Sequence, residues 1–135
     1  LCAFPHGRDA VEGIARYAAG DDYHEVLPPL MGQLASHLEG LVGKPLQSKT
    51  FADTSALMER DLARRAGLGW IGKHTGLLTE DSGSWLLLAG FLTELELPAS
   101  SPVEERCGTC RACLVACPTG AITAPYTVDA RRCSR

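Results

Sequence analysis

The feature that most constrains this chain is a run of four cysteines that extends from Cys107 to Cys117. Its spacing is Cys-x2-Cys-x2-Cys-x3-Cys-Pro, which is typical of a loop that binds a 4Fe-4S cluster. Gly108 can adopt the backbone angles that a tight loop needs, and Pro118 prevents a helix from continuing. In proteins with two clusters, the fourth cysteine of such a run usually binds the other cluster. The run therefore predicts further ligand thiols, for which the chain offers Cys133 and Cys2.

Cysteines grouped in this way have two other interpretations. Structural zinc sites usually pair two Cys-x2-Cys motifs about a dozen or more residues apart, unlike consecutive triplets that end in Cys-Pro. A disulfide framework needs an oxidising compartment, and residues 1–20 lack the basic start, apolar core and cleavage site of a secretion signal. We therefore expect an iron–sulfur site in a reducing, cytoplasmic environment.

Length and composition fit one ordinary domain, or one domain with a small cofactor-bearing appendage. The chain has 135 residues, of which 45% are hydrophobic and 21% are charged, as in ordinary globular proteins. No apolar run reaches the ~18 residues of a membrane span, so we expect no membrane association. A net charge of -3 argues against this chain alone binding a long stretch of nucleic acid. Because the chain starts at Leu1 and stops two residues after Cys133, we expect an internal fragment whose missing cluster ligands lie downstream.

The N-terminal half shows the patterns of two strands and three helices. Residues 1–5 predict a strand and residues 10–19 a short helix. A longer helix is predicted from Asp21 and Asp22 to Gly43, either beginning at Pro29 or kinked into separate parts at the Pro28-Pro29 pair. Its expected buried face carries Leu30, Leu34, Leu38 and Leu41. Residues 47–52 predict a strand, and residues 56–66 a helix capped by Thr54 or Ser55, with Leu57, Leu62 and Ala66 facing inward.

The second half divides into a hairpin, a linker and the cysteine module. Residues 67–74 form a glycine-rich loop, and residues 77–79 and 84–95 predict a β-hairpin around a turn at 80–83. Proline and serine mark residues 98–106 as a linker. The predicted domains are therefore residues 1–97 and residues 107–135.

Two long segments resemble the epoxyqueuosine reductase family. They read FADTSALMER at positions 51–60 and AGLGWIGKH at positions 66–74. The cysteine run, with residues 118–122 and 126–133, is similar to that family's first cluster motif and the approach to its second. Residues 16–18 and 22–24 add to the resemblance, which covers nearly the whole chain.

The resemblance implies an α+β fold, in which a partial nitroreductase-like cobalamin-binding domain precedes a partial ferredoxin-like 4Fe-4S module. It implies a cytoplasmic, cobalamin-dependent reductase that removes the epoxide oxygen of a modified tRNA base to complete queuosine. Two clusters would pass electrons from an external donor to the cobalt, and we expect a monomer. Activity of this part of the protein by itself is not expected.

The resemblance also implies a ligand set. Cys107, Cys110 and Cys113 match three ligands of one cluster, and Cys117 and Cys133 match two ligands of the other. Two 4Fe-4S clusters need eight thiolates, of which these residues would supply five.

Asp53 matches the family's catalytic acid. Opening an epoxide leaves an alkoxide-like oxygen that needs a proton, which a carboxylic acid can donate. Burial by Phe51, Ala52 and Met58 would keep that acid protonated. Without the resemblance, Asp53 is better explained as a residue that merely precedes or caps the next helix, a role worth about 1 kcal/mol.

Four further residues are expected near the cofactor, namely Arg16, Tyr17, Lys73 and His74. Lys73 and His74 lie in a glycine-rich loop where the backbone can approach a phosphate or the amide rim of a corrinoid. Each of the four residues is also compatible with a solvated surface.

Three other functions remain open at this point. The chain could be a plain ferredoxin-like electron carrier, or a relative of reductive dehalogenases, which combine a similar corrinoid domain with similar clusters. It could also be a zinc-binding interaction module.

Overall fold

The computed structural model describes residues 2–5, 16–18, 20–53 and 55–134, except for the side chains of Cys2–Pro5 and Arg16. The strands are β1 (Cys2–Pro5), β2 (Ser48–Phe51), β3 (Trp70–Ile71), β4 (Leu77–Leu78), β5 (Leu86–Thr93), β6 (Ile122–Ala124) and β7 (Thr127–Val128). The helices are α1 (Tyr23–Val42), α2 (Glu59–Arg65) and α3 (Ala112–Ala116), with a 3-10 turn at Arg16–Ala18. The helix expected over residues 10–19 falls mostly outside the described residues.

Helix α1 runs without a break through Pro28 and Pro29, so the expected start or separation at this pair is wrong. The Asp22 side chain accepts a hydrogen bond from the backbone N–H of His24 at 2.9 Å and caps the helix. Leu27 lies within this part of the helix and is 3% exposed. The cap and this burial hold the first turns in place, although both prolines lack a backbone donor.

The buried face of α1 also differs from the expected leucine face. Its buried residues are Leu27, Met31 and Ala35. Leu30 and Leu41 are 38% and 71% exposed, and Leu34 packs against the core only in part. The helical spacing was correct, but the face that contacts the sheet is rotated by about one residue.

The main sheet has the strand order β1-β5-β2, with β5 antiparallel to both neighbours. Helix α1 packs on this sheet, where Leu27, Met31, Ala52 and Ala89 form the core. The predicted strands at residues 1–5 and 47–52 are confirmed as β1 and β2.

The predicted β-hairpin is wrong in its pairing. The turn between Thr79 and Gly83 forms, but β4 pairs with β3 through Trp70–Leu78 and Ile71–Leu77. Strand β5 instead lies between β1 and β2, and pairs with β1 through its residues 86–89 and with β2 through its residues 90–93. Gly69 permits the β3–β4 pairing, because a Cβ there would overlap the carbonyl oxygen of Leu78.

Helix α2 begins at Glu59, three residues later than expected, and its buried residue is Ala63. Leu57, Leu62 and Ala66 are only half-buried. Ser55 does not cap the helix, since its hydroxyl oxygen is buried without a hydrogen-bond partner. Thr54, the other expected cap, lies outside the described residues.

The segment 98–106 packs against the β3–β4 pair. Arg106 forms an ion pair with Glu80, and its guanidinium lies over the Trp70 ring, 5.8 Å from the ring centroid. Beyond it, α3 and the β6–β7 hairpin form the cysteine module. Among the described residues, no helix is long and apolar enough to cross a membrane.

Candidate functional site

Asp53 follows β2 at the point where the chain turns away from the sheet. The two preceding residues, Phe51 and Ala52, are 8% and 4% exposed. Asp53 itself has φ +59, a left-handed conformation that costs a non-glycine residue on the order of 1–2 kcal/mol. Its side chain is 64% exposed, and Met58 is 75% exposed. The expected apolar enclosure of Asp53 is therefore wrong, because the turn directs its carboxylate away from the core.

The start of α1 brings two polar rings to Asp53. The Tyr23 hydroxyl donates a hydrogen bond to Asp53 Oδ2 at 2.7 Å, and His24 Nε2 lies 3.8 Å from the same oxygen. On its other side, His24 Nδ1 lies 2.8 Å from Asp22 Oδ1. The Tyr23 and His24 rings are stacked with their centroids 4.0 Å apart. His24 is thus held between two carboxylates, and Tyr23 contacts Asp53 directly.

The local environment stabilises the neutral phenol of Tyr23. Burial, followed by the hydrogen bond to Asp53, raises the pKa of Tyr23 to about 12. The phenol therefore keeps its proton at neutral pH and remains a hydrogen-bond donor to Asp53.

Glu59, at the start of α2, provides a second carboxyl group beside Asp53. Burial raises the pKa of Glu59; the backbone N–H of Asp53 opposes this effect, and the Asp53 charge adds to it. Glu59 Oε1 is buried without a hydrogen-bond partner among the described residues, as is Ser55 Oγ. Two buried polar atoms near the Asp53 turn thus lack a hydrogen-bond partner among the described residues.

The Ser55 and Glu59 oxygens show whether this site suits a corrinoid. The amide groups at a corrinoid's rim both donate and accept hydrogen bonds, so they suit an unpartnered carboxyl oxygen and an unpartnered hydroxyl. A groove of about 330 Å³ is lined by residues 47–49 and 92–94. It lies at the far end of β2 from Asp53 and is not part of this site.

The four expected cofactor residues occupy different places. Tyr17 lies in the 3-10 turn, is 44% exposed, and is close enough to contribute to the raised pKa of Tyr23. The side chain of Arg16 lies outside the described part of the structure. His74 packs over its own turn, where the Gly76 N–H donates to His74 Nδ1 at 3.2 Å. Lys73 points to the cysteine module, which differs from the expected role at a phosphate or corrinoid.

The first three cysteines lie on a tight turn followed by α3. The Cys110 N–H donates to the Cys107 carbonyl at 2.9 Å, and Gly108 has φ +43, which glycine adopts at little cost. Cys113 is in the first turn of α3. All three are free thiols at least partly open to solvent, so the donor set suits a cluster.

Cys117 ends α3 in a group of hydrogen-bond donors. Its pKa is lowered chiefly by the backbone N–H of Ile122, with the Thr119 hydroxyl and the Ala121 N–H adding to the effect. Such donors favour the thiolate, which is the form that binds iron. Cys133 is an exposed free thiol, and the preceding Arg132 donates a hydrogen bond to the Thr119 carbonyl at 2.9 Å.

The described residues also bear on the zinc interpretation. No three of their His, Cys, Asp or Glu side chains converge to hold a single metal ion. A zinc site needs four ligands within about 2.0–2.3 Å of one point, whereas the thiolates of a cubic cluster each bind a different iron atom. The preference for a cluster over zinc therefore rests on the cysteine spacing, which is typical of a cluster-binding loop.

Three residues of this site, Tyr23, His24 and Glu59, are not among those that the sequence predicts near the cofactor. Tyr23 and His24 directly follow the cap of α1, and this position in the sequence could have indicated that both lie at the start of the helix. Glu59 carries no local signal, because its burial depends on how α2 packs.

Two family models match the chain. The model described as "Epoxyqueuosine reductase QueG, DUF1730" matches residues 4–54, and "4Fe-4S double cluster binding domain" matches residues 106–135.

Similar proteins agree with these matches. An epoxyqueuosine reductase of Salmonella typhimurium is 48% identical over 120 residues, which cover 89% of this chain and 31% of that protein. The chain thus spans about a third of the length of the curated relatives it matches.

Two solved structures share the fold. An epoxyqueuosine reductase with an epoxyqueuosine-modified tRNA-Tyr stem loop has a TM-score of 0.84 and 34% identity, over 97% of this chain and 37% of that one. A Bacillus subtilis epoxyqueuosine reductase, whose aspartate-bearing catalytic loop is swung out of the active site, has a TM-score of 0.82 and 32% identity, with the same coverages.

Proposed function

This chain belongs to the epoxyqueuosine reductase family, and from this we propose that it carries the proton donor and the first cluster ligands of an enzyme that reduces epoxyqueuosine to queuosine in tRNA. The observation that carries the proposal is the 2.7 Å hydrogen bond from Tyr23 to Asp53. This hydrogen bond holds the carboxyl group of Asp53 in place. The cysteine module of the same chain presents the cluster ligands.

The reaction defines what the protein must supply. Removing an epoxide oxygen as water leaves a carbon–carbon double bond and consumes two electrons and two protons. The protons must reach the oxygen as its bonds to carbon break, because an alkoxide is a poor leaving group. A carboxyl group next to the epoxide lowers this barrier by general acid catalysis.

We assign that role to Asp53. Tyr23 binds Oδ2, which leaves Oδ1 to carry the transferable proton and face the substrate. Because the phenol of Tyr23 stays protonated at neutral pH, it orients the carboxyl group in both of its charge states. Substrate binding over this exposed turn would exclude bulk water from Asp53.

Ser55 and Glu59 are proposed to hold the rim of a cobalamin, because both have a buried oxygen without a partner. When bound, a corrinoid would supply the low-potential reductant that the epoxide reduction needs. Cys107, Cys110 and Cys113 would hold one 4Fe-4S cluster, and Cys117 and Cys133 would contribute to a second.

The remaining assignments follow from the same proposal. Residues 1–97 belong to a nitroreductase-like cobalamin-binding domain, and residues 107–135 belong to a ferredoxin-like domain. Residues 98–106 form the linker between them. The partners are tRNA and an external electron donor, and the protein acts as a monomer in the cytoplasm, where tRNA is found.

The test is Asp53→Asn in the native protein, reconstituted anaerobically with cobalamin and clusters. The substrate is a tRNA stem loop that contains epoxyqueuosine, and the product is measured by mass spectrometry of nucleosides. We expect conversion to fall by about 10²–10⁴-fold with unchanged iron content. The matched control is Asp81→Asn, an exposed turn residue.

Three outcomes separate the alternatives. Activity of Asp53→Asn equal to that of the wild type would remove Asp53 as the proton donor. Turnover of an organohalide but not of the epoxide would favour a reductive dehalogenase. A protein that holds clusters but binds no cobalamin would favour a plain electron carrier.

A further inference from the structure

Lys73 connects the segment after β3 to the cysteine module by three hydrogen bonds. Its ammonium donates to the carbonyl oxygens of Gly108 and Cys110 at 2.5 and 2.8 Å. Its own carbonyl accepts a hydrogen bond from the backbone N–H of Tyr126 at 2.8 Å. One residue thus contacts both the ligand turn and the β6–β7 hairpin of the module.

The local geometry suits an ammonium group. With Gly108 in the left-handed region, the Cys107–Cys110 turn presents the carbonyls of residues 108 and 110 to the same side, where Nζ reaches both. An ammonium has three donors and no acceptor, so it can satisfy two such carbonyls at once. Among the ion pairs of the described residues, none includes Lys73.

The β3–β4 region that carries Lys73 is itself firmly placed. Thr75 N–H donates to the Gly72 carbonyl at 2.8 Å, and Gly72 N–H donates to the Gly76 carbonyl at 2.8 Å. Arg60 of α2 donates to the Thr75 carbonyl at 2.8 Å. The turn is therefore fixed to the same helix that begins with Glu59 beside Asp53.

We propose that Lys73 is a positioning residue for the first cluster, which holds the Cys107–Cys110 turn against the catalytic segment and raises the cluster's reduction potential by its positive charge. The proposal rests on the proposed function, because it requires a cluster at these cysteines. Reduction adds one negative charge to a cluster, and net charge and nearby donors set its potential. An adjacent cation stabilises the reduced form.

The experiment compares Lys73→Gln and Lys73→Arg in the native protein with its clusters reconstituted. Glutamine keeps a donor but removes the charge, whereas arginine keeps the charge. The readouts are iron per protein and the cluster potential, obtained from a redox titration followed by electron paramagnetic resonance. Lys44→Met is the matched control, because Lys44 is an exposed lysine in the loop after α1.

In Lys73→Gln we expect the ratio of reduced to oxidised cluster at a fixed ambient potential to fall by up to about tenfold, which is a shift of about 59 mV to more negative values for one electron. Lys73→Arg should recover most of this ratio, and Lys44→Met should leave it unchanged. Loss of iron in Lys73→Gln that Lys73→Arg restores would also support the proposal.

An unchanged potential in a fully loaded Lys73→Gln protein would overturn this proposal alone. Equal losses in Lys73→Gln and Lys73→Arg would also overturn it, because the charge would then be irrelevant. A native protein that holds no iron–sulfur cluster would overturn both this proposal and the proposed function. If the cluster potential shifted as predicted but the native protein could not reduce epoxyqueuosine, only the proposed function would be overturned.

Discussion

Replacing Tyr23 by phenylalanine tests the central contact of the site, because it removes one hydroxyl and keeps the ring that packs against the core. The expected loss of folding stability follows in part from the pKa of Tyr23, which rises from 10.0 to about 12. That rise corresponds to about 2.7 kcal/mol in favour of the neutral phenol. Burial is its largest cause, so the hydrogen bond to Asp53 accounts for no more than about half of it.

The exposure of Asp53 lowers this figure further. Hydrogen bonds to charged groups contribute about 1.5–3 kcal/mol, but water screens a carboxylate that is 64% exposed. We therefore expect Tyr23→Phe to lower the free energy of unfolding by about 1 kcal/mol at pH 7, which is roughly 2–6 °C in Tm for a domain of this size.

The pH dependence gives a second check. A phenol whose pKa is higher in the folded state stabilises that state fully below its unfolded value of 10.0, and this contribution is lost as pH rises to about 12. The wild type should therefore lose its advantage over Tyr23→Phe across this window.

The assay is urea unfolding followed by tryptophan fluorescence at several pH values. Tyr126→Phe serves as the control, since Tyr126 is 42% exposed and its hydroxyl takes part in none of the described hydrogen bonds. If Tyr23→Phe were as stable as the wild type at pH 7, the contact would contribute nothing and the orientation of Asp53 would need another cause.

Two further predictions concern packing and a buried carboxyl group. Gly69→Ala should lose about 1–3 kcal/mol of stability, because its Cβ would overlap the Leu78 carbonyl, whereas Gly32→Ala in α1 meets nothing within 4 Å and should gain about 0.5–1 kcal/mol. Thermal unfolding measures both, and equal Tm values would contradict the β3–β4 pairing. Since burial raises the pKa of Glu59 from 4.5, the folded state is destabilised as pH rises above that value. Glu59→Gln should therefore gain stability over the wild type above pH 4.5 and not below it, and a difference independent of pH would refute this reasoning.

Several features of the site could be read from local sequence. The Cys107–Cys117 spacing predicted the turn and short helix that the structure contains, because ligands within one loop depend only on local backbone geometry. The same holds for the Asp22 cap and the Gly43 end of α1, which are set within a few residues of chain. Asp53 was assigned by resemblance, and its position just after β2 agrees with the predicted strand.

Contacts between distant segments could not be read in this way. The apolar residues of β5 suit a buried strand in several pairings, and only packing under α1 selects β1 and β2 as its neighbours. Tyr23 and Asp53 are thirty residues apart, and Lys73 lies thirty-five residues before Gly108. Local patterns and the family resemblance indicated the residues to which we assign the chemistry. The tertiary structure alone decided which of them meet, because the free energy of burying one face against another depends on segments that are far apart in the chain.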